Sequence, residues 1–329
     1  MGKKILIVLT SHGTLGDSEL KTGWYLPELA HPLKVLFDAG YTDLVEIVSP
    51  KGGLAPVDPQ SAEVFKDDPT CQWLYNNSHA QNLINHTKKA SDIAFSDYCA
   101  VVYPGGHGPM FDLAFDVEIA KITSNVFSDG GLVAACCHGP AGLVPVKDKS
   151  GNSIVHGRKI TCFTNSEETA IEMTSLVPFA LETKLKELGG KFSSADDFQE
   201  HVLVDGRLIT GQNSQSSSAF SLAVLAQVKQ LLAADTSGGK EVKKRKSCKK
   251  HSIPNSTLST ILKDIEKLQK ARDDSKFRPA TKETKLCSHE GLEDAVFAWF
   301  RQAMAMNVPL SGPVVIGKAE AIAQLMNFK

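Results

Sequence analysis

The sequence predicts a doubly wound α/β fold over residues 1–235, a mostly parallel, flavodoxin-like sheet with helices on both faces. Strand-like and helix-like segments alternate along this stretch, as βαβ units require. The interior strand candidates are continuous Val/Ile/Ala runs, the pattern of parallel strands buried on both faces. A final pair of apolar runs is joined by Asp205-Gly206, which marks a hairpin.

The strands are expected at Lys4–Thr10, Leu44–Ser49, Ala100–Tyr103, Gly131–Cys136 and Lys159–Phe163, then at the pair His201–Val204 and Leu208–Thr210. The first follows Lys3-Lys4 and has the flavour of a short secretion signal. It lacks a small-residue cleavage site and runs straight into a polar turn, so a strand is the better assignment. Helices are expected at Tyr25–Ala39, Ser78–Lys89, Met110–Phe127, Val177–Leu188 and Ser216–Leu232.

Of 329 residues, 42% are hydrophobic and 22% charged, which fits a globular chain with a substantial core. No run of about 18 apolar residues is present, which excludes a spanning helix and a membrane partner. Seven cysteines show no CxxC and no Cys/His ligand spacing. They read as reduced cytosolic thiols with no metal site. The near-neutral total hides an asymmetry: residues 1–235 carry 18 Lys+Arg against 27 Asp+Glu, while residues 236–329 carry 18 against 10. Such a split points to two parts with different partners.

Ser237-Gly238-Gly239 marks a break, followed by a basic linker over residues 236–252 that contains Lys243, Lys244, Arg245, Lys246, Lys249 and Lys250. Residues 253–329 are expected to form a small, partly ordered α-helical extension. Its helical patterns lie at Ser256–Lys270, Leu292–Ala305 and Ile316–Met326, with a polar stretch, Asp273–His289, between the first two.

The chemistry concentrates in Gly131-Leu-Val-Ala-Ala-Cys136-Cys137-His138-Gly139-Pro140-Ala141-Gly142. An apolar strand ends at a cysteine, and Gly-Pro opens a helix with Pro at its favoured first turn. A strand-to-helix elbow of this kind presents a nucleophile at the carboxyl end of the sheet. The helix N-terminus favours thiolate over thiol, and His138 is the adjacent proton acceptor. A second loop, Tyr103-Pro104-Gly105-Gly106-His107-Gly108, also follows an apolar strand. Its glycines let backbone N–H groups approach a ligand as an oxyanion hole.

Together these stretches resemble the ThiJ/PfpI superfamily, of the class I glutamine-amidotransferase-like fold. Lys21 through Pro32, Thr164-Asn165-Ser166-Glu167-Glu168-Thr169, Val177-Pro178-Phe179 and Asp205 through Asn213 resemble its glutathione-independent glyoxalase III and stress-chaperone branch. The resemblance spans residues 3–233. It implies Cys137 as nucleophile, His138 as its base, and Gly106 and His138 at the oxyanion and substrate site. It also implies Glu28 against the sulfur, sharing a proton with it, and an acidic residue that orients His138. Glu167 and Glu168 both stand at the acidic position; Glu168 is chosen because Thr169 follows it. Cys136 is expected to end the strand and point away from the site.

The implied activity is that of a glyoxalase III-type lyase (a D-lactate dehydratase) converting 2-oxoaldehydes such as methylglyoxal to 2-hydroxy acids. The chemistry calls for no cofactor, metal or glutathione. The alternative on the same fold is a redox-sensing chaperone or deglycase. A homodimer in the cytoplasm is expected.

In the tail, Ile253–Lys267 resembles the last helix of the first helix-turn-helix of centromere protein B and Tigger/pogo transposases. Residues 292–328, around Trp299 and Ser311-Gly312, resemble the start of the second. Both units read as incomplete, and no acidic-triad transposase domain is expected in this stretch. The tail is therefore expected to bind DNA weakly through phosphate contacts rather than base readout. Lys243–Lys246 also fits a nuclear-localisation patch.

Overall fold

The interior strands of the main sheet feed two apolar layers. In β1 (Lys4–Val8) Ile5 and Ile7 enter one buried cluster, while Leu6 and Val8 enter the other. This alternation, with Ile5 through Val8 buried on one face or the other, is what a helix-covered sheet demands. The computed structural model describes residues 3–251. The chain divides into two units, Met1–Ala233 and Ala234–Lys329. The helical patterns at Ser256–Lys270, Leu292–Ala305 and Ile316–Met326, and the polar stretch Asp273–His289, lie outside the described residues.

After β1 the chain forms α1 (Leu26–Asp38), β2 (Val45–Val48), α2 (Pro59–Val64), α3 (Pro69–Asn76) and α4 (Ser78–Asn85). There follow β3 (Tyr98–Tyr103), α5 (Val117–Ser128), β4 (Leu132–Cys136), β5 (Lys159–Ile160), α6 (Asn165–Ala170) and α7 (Leu181–Glu187). The chain continues through β6 (Lys191–Phe192), β7 (Val202–Asp205), β8 (Leu208–Gly211) and α8 (Ser217–His251). The six-stranded sheet has the order β2-β1-β3-β4-β8-β7. Its strands are parallel except for the β7–β8 hairpin, which turns at Gly206 with φ +59°. This is the doubly wound, flavodoxin-like architecture expected of the sequence.

Several elements depart from expectation for identifiable reasons. The expected strand Lys159–Phe163 contributes only β5, which pairs with β6 outside the main sheet. Beyond it, the Thr161 N–H donates to Thr210 Oγ1 and the Phe163 N–H to the Cys137 carbonyl, so the chain crosses the sheet end instead of lengthening a strand. The expected helix Met110–Phe127 starts late, because the Asp116 carboxylate accepts from the Glu118 and Ile119 N–H groups and fixes the start of α5. The helix expected over Ser78–Lys89 ends at Asn85; Thr87 then pairs with Gly53, and the Lys88 N–H donates to Ile47. That expected over Val177–Leu188 begins only at Leu181.

Three short helices are additional. Asp58 and Asp68 cap α2 and α3, each followed by Pro at the first helical position. Thr164 and Glu167 form a reciprocal capping box at the start of α6. The Ser237-Gly238-Gly239 stretch, and the part of the expected linker over 236–252 that lies within the described residues, fall within the helical course of α8. The flanking Leu, Ala, Lys and Glu are strong helix formers, and each Gly costs only about 1 kcal/mol against them. By length and composition Ser214–Ala234 would also suffice to cross a bilayer, contrary to the expectation of no such segment. In this fold it turns Phe220, Val224 and Val228, four residues apart, into the core.

Gly139 is where the sheet and the site meet: a Cβ there would lie 2.2 Å from the Tyr103 carbonyl oxygen of β3. Gly139→Ala is therefore expected to lower the urea midpoint, by a free energy of about 2 kcal/mol or more. An unchanged midpoint would contradict this packing.

Candidate functional site

Cys137 is the first residue beyond β4, and its backbone is left-handed, with φ +58°. That conformation costs a non-glycine residue about 1–2 kcal/mol. It is held by two backbone bonds: the Cys137 N–H donates to the Gly211 carbonyl at 2.9 Å, and its carbonyl accepts the Phe163 N–H at 3.0 Å. Cys136 completes β4; its sulfur lies 3.4 Å from the Asn213 carbonyl, and it does not line the cavity.

His138 follows in the bend before a short 3-10 turn, Gly139–Leu143. Its Nδ1 lies 3.4 Å from Cys137 Sγ, and its Nε2 lies 2.7 Å from Glu168 Oε2. The structure thus sets Glu168, not Glu167, against His138. Glu167 instead accepts from Thr164 N–H and Oγ1, Phe198 N–H, Gln212 Nε2 and Asn213 Nδ2, which anchors α6 to the end of β8. Glu168 is shared: His107 Nε2 approaches its other oxygen at 2.8 Å, and the two imidazole rings lie 4.2 Å apart. His107 belongs to the Gly-rich loop, but local sequence does not reveal that its ring meets a carboxylate on α6.

Glu28, in the first turn of α1, is fully buried. One oxygen accepts the Gly105 N–H at 2.7 Å; the other has no hydrogen-bond partner among the described residues. Burial pushes its carboxyl up to about 8, against the opposing pull of the Gly105 N–H and the Cys137 thiol. The thiol is likewise pushed well above its ordinary range, first by burial and then by the Glu28 charge. The lowered thiol pKa expected from the sequence is therefore reversed. The turn after Cys137 is too short to carry a full helix dipole, and desolvation beside a carboxylate outweighs it. Burial and His107 lower the His138 pKa, with Glu168 opposing. Burial alone would raise Glu168, but His138 and the bonds from both imidazoles hold it well below the usual carboxylate range.

Gly106 has φ +89°, and a Cβ there would lie 2.4 Å from the Gly23 carbonyl oxygen. Gly106, His107, Cys137 and His138 all line a cavity of about 470 Å³. Neither the Gly106 nor the His138 N–H donates to another described residue, so both are available to an oxyanion. Among the described residues, two sets of side chains bring ligand atoms within 4.8 Å of one another, His107/His138/Glu168 and His31/Asp68/Cys71. In the first, Glu168 already bonds both imidazoles; in the second, Asp68 caps α3. The side chains of Lys243, Lys244, Arg245, Lys246, Lys249 and Lys250 lie outside the described set.

A thiol at a left-handed elbow on the carboxyl edge of a parallel sheet, backed by an imidazole–carboxylate pair, defines a flavodoxin-like α/β enzyme class. Within that class the chain belongs to the DJ-1/PfpI family, which residues 28–227 match. It is 30% identical over 231 residues to Glyoxalase 3 of Candida albicans, covering 68% of this chain and 97% of that protein. It is 30% identical over 231 residues to the glutathione-independent glyoxalase HSP31 of Saccharomyces cerevisiae, covering 68% and 95%. The crystal structure of Rapid Encystment Protein 24 kDa of Francisella tularensis superposes with a TM-score of 0.64 at 36% identity, covering 70% of this chain and 99% of that one. Residues 289–329 match the Tc5 transposase DNA-binding domain.

The neighbouring glutamates are expected to separate by experiment. Glu167→Ala strands several buried donors and should cost about 3 kcal/mol or more in urea unfolding. Glu168→Gln should cost much less, since the amide oxygen can still accept from an imidazole; equal losses would contradict the assignment. Alkylation of Cys137 should accelerate only above the roughly 8.5 of a free thiol, and Glu28→Gln should bring its midpoint down. A midpoint below 8.5 in the unsubstituted chain would overturn the electrostatics described here.

Proposed function

We propose that this chain is a glutathione-independent glyoxalase that converts methylglyoxal and related 2-oxoaldehydes to 2-hydroxy acids through a hemithioacetal on Cys137. The observation that carries the proposal is the row of Cys137 Sγ, His138 and Glu168, linked at 3.4 and 2.7 Å and open to a cavity, with Glu28 coupled to the same sulfur. The glyoxalases among its relatives support it.

With Glu168 ionised, the Nε2–H of His138 donates to it, and Nδ1 is left as a lone pair facing the thiol. As Sγ bonds to the aldehyde carbon C1, the thiol proton passes to Nδ1. The new oxyanion is received by the Gly106 and His138 N–H groups and is then protonated to the hemithioacetal. A carboxyl near 8 exchanges protons efficiently close to neutral pH. Glu28 takes the C1 proton to give an enediol and returns a proton to C2, which leaves a thioester on Cys137. C1 is oxidised and C2 reduced within one molecule, so no external oxidant enters. Water cleaves the thioester and restores the thiol; from methylglyoxal the product is lactate, the lyase activity of a D-lactate dehydratase. The rival role as a redox sensor fits less well, because Cys137 is only 5% exposed and held as a neutral thiol.

A second reading concerns the tail, and the Tc5 match with the local excess of Lys and Arg favours it. In this reading the tail binds DNA electrostatically, in a cytoplasmic protein with access to the nucleus through Lys243–Lys246.

Cys137→Ala is expected to reduce conversion of methylglyoxal to lactate by on the order of a thousandfold, while Cys136→Ala keeps most of it. A dead Cys136→Ala beside an active Cys137→Ala would overturn the assignment. The full chain should bind DNA with an affinity that falls by about 0.9 log units per log salt for each neutralised phosphate, and a chain ending at residue 235 should lose it. A preference of about a hundredfold for one sequence over a scrambled control would instead mean base readout.

A further inference from the structure

We propose that the site is specialised for 2-oxoaldehydes bearing an aryl or similarly bulky apolar group at C2, and that Phe163 and Phe198 form the wall that receives this group. The inference rests on the glyoxalase reading of Cys137 and adds the substrate class.

Size is the first observation. A cavity of about 470 Å³ lies within the range of roughly 300–1,000 Å³ that takes drug-sized ligands. A three-carbon oxoaldehyde would fill a small part of it and leave water against the reacting carbon. The character of the lining is the second. Beyond Cys137 and His138 the cavity is bounded by Phe163, Ile171, Met173 and Phe198, with Leu15 and Leu20. Polar side chains complete the lining, Lys21, Asp58 and Gln215 among them.

The third observation is a row of rings that leads away from the imidazole. The His138 and Phe163 centroids are 4.7 Å apart at 35°, and those of Phe163 and Phe198 are 6.3 Å apart at 57°. These separations suit aromatic contacts, which prefer centroids about 4.5–7 Å apart in offset or edge geometry. An aryl group attached at C2 would continue the same packing.

The fourth is the backbone of Phe198. It has φ +59°, a region that bulky L-residues rarely adopt and that glycine enters freely. The Phe198 N–H donates to Glu167 Oε1 at 2.8 Å. The strained residue is thus tied to the carboxylate adjacent in sequence to Glu168, and the ring's position is indexed to the catalytic cluster. Strain maintained at a cavity wall points to a use for the side chain that requires it.

The test is steady-state kcat/KM of the full chain, Phe198→Ala and Phe198→Gly on phenylglyoxal, giving mandelate, and on methylglyoxal, giving lactate. The unsubstituted chain is expected to favour phenylglyoxal by about tenfold or more, the scale on which pocket contacts discriminate. Both substitutions are expected to reduce that preference by about tenfold or more, chiefly through KM. Phe198→Gly removes the ring while relieving the backbone, so a loss there does not reduce to misfolding. Equal or better use of methylglyoxal by the unsubstituted chain, or an unchanged preference in both variants, overturns the proposal. Turnover of neither aldehyde by a folded chain whose Cys137 still alkylates overturns the glyoxalase reading itself.

Discussion

The peptide at Cys137 is held from two sides, by the Gly211 carbonyl of β8 and by the Phe163 N–H on the way to α6. Those two bonds fix a left-handed residue at the end of β4, and the rest of the site is arranged around it. His138 starts the following turn with its ring beside the sulfur. Phe163, bonded to the same peptide, lies beside that ring. Thr164 then caps α6 and brings Glu168 within reach of His138. The close approach leaves no room for side chains behind it: a Cβ on Gly105 would lie 2.6 Å from the Cys136 carbonyl oxygen. Strain at one residue is thus offset by a tightly packed surround of backbone groups.

Three buried glutamates meet in this region, and each is accommodated differently. Glu167 is satisfied by five donors and serves the fold. Glu168 is shared by two imidazoles and remains an anion, which fixes which imidazole nitrogens carry protons. Glu28 accepts one backbone N–H and is otherwise desolvated, so its proton is held close to neutral pH. A buried charge must be paired or must neutralise itself. The chain applies the first solution to Glu168 and the second to Glu28, and an acid–base difference between the two carboxylates results.

The sequence discloses the continuous strands because parallel strands covered on both faces have no polar side to mask the pattern. It misplaces Lys159–Phe163 because Thr161 and Phe163 are buried by crossing the sheet end, which produces the same apolar run without a ladder. Asp58-Pro59 and Asp68-Pro69 are legible cap signals, but α2 and α3 are too short to add periodicity to them. Within the site, Cys137, His138, Glu28 and Glu168 were traceable through motifs. The second imidazole on Glu168 was not, since His107 and Glu168 are 61 residues apart and only the fold joins them. The thiol's raised proton affinity is hidden for the same reason: a helix N-terminus is visible in local sequence, and the desolvating surround with Glu28 is not.

The backbone of Cys137 also limits how this position can drift. A residue held at φ +58° admits glycine readily and asparagine or aspartate tolerably, while β-branched residues are excluded sterically. Serine or alanine would carry the same local strain as cysteine with no thiol chemistry to show for it. A descendant of this fold that had abandoned its reaction would be freed toward the left-handed-tolerant residues. Glycine or asparagine after the fourth strand, with the Gly105 and Gly139 contacts intact, would then be the molecular fossil of a lost activity.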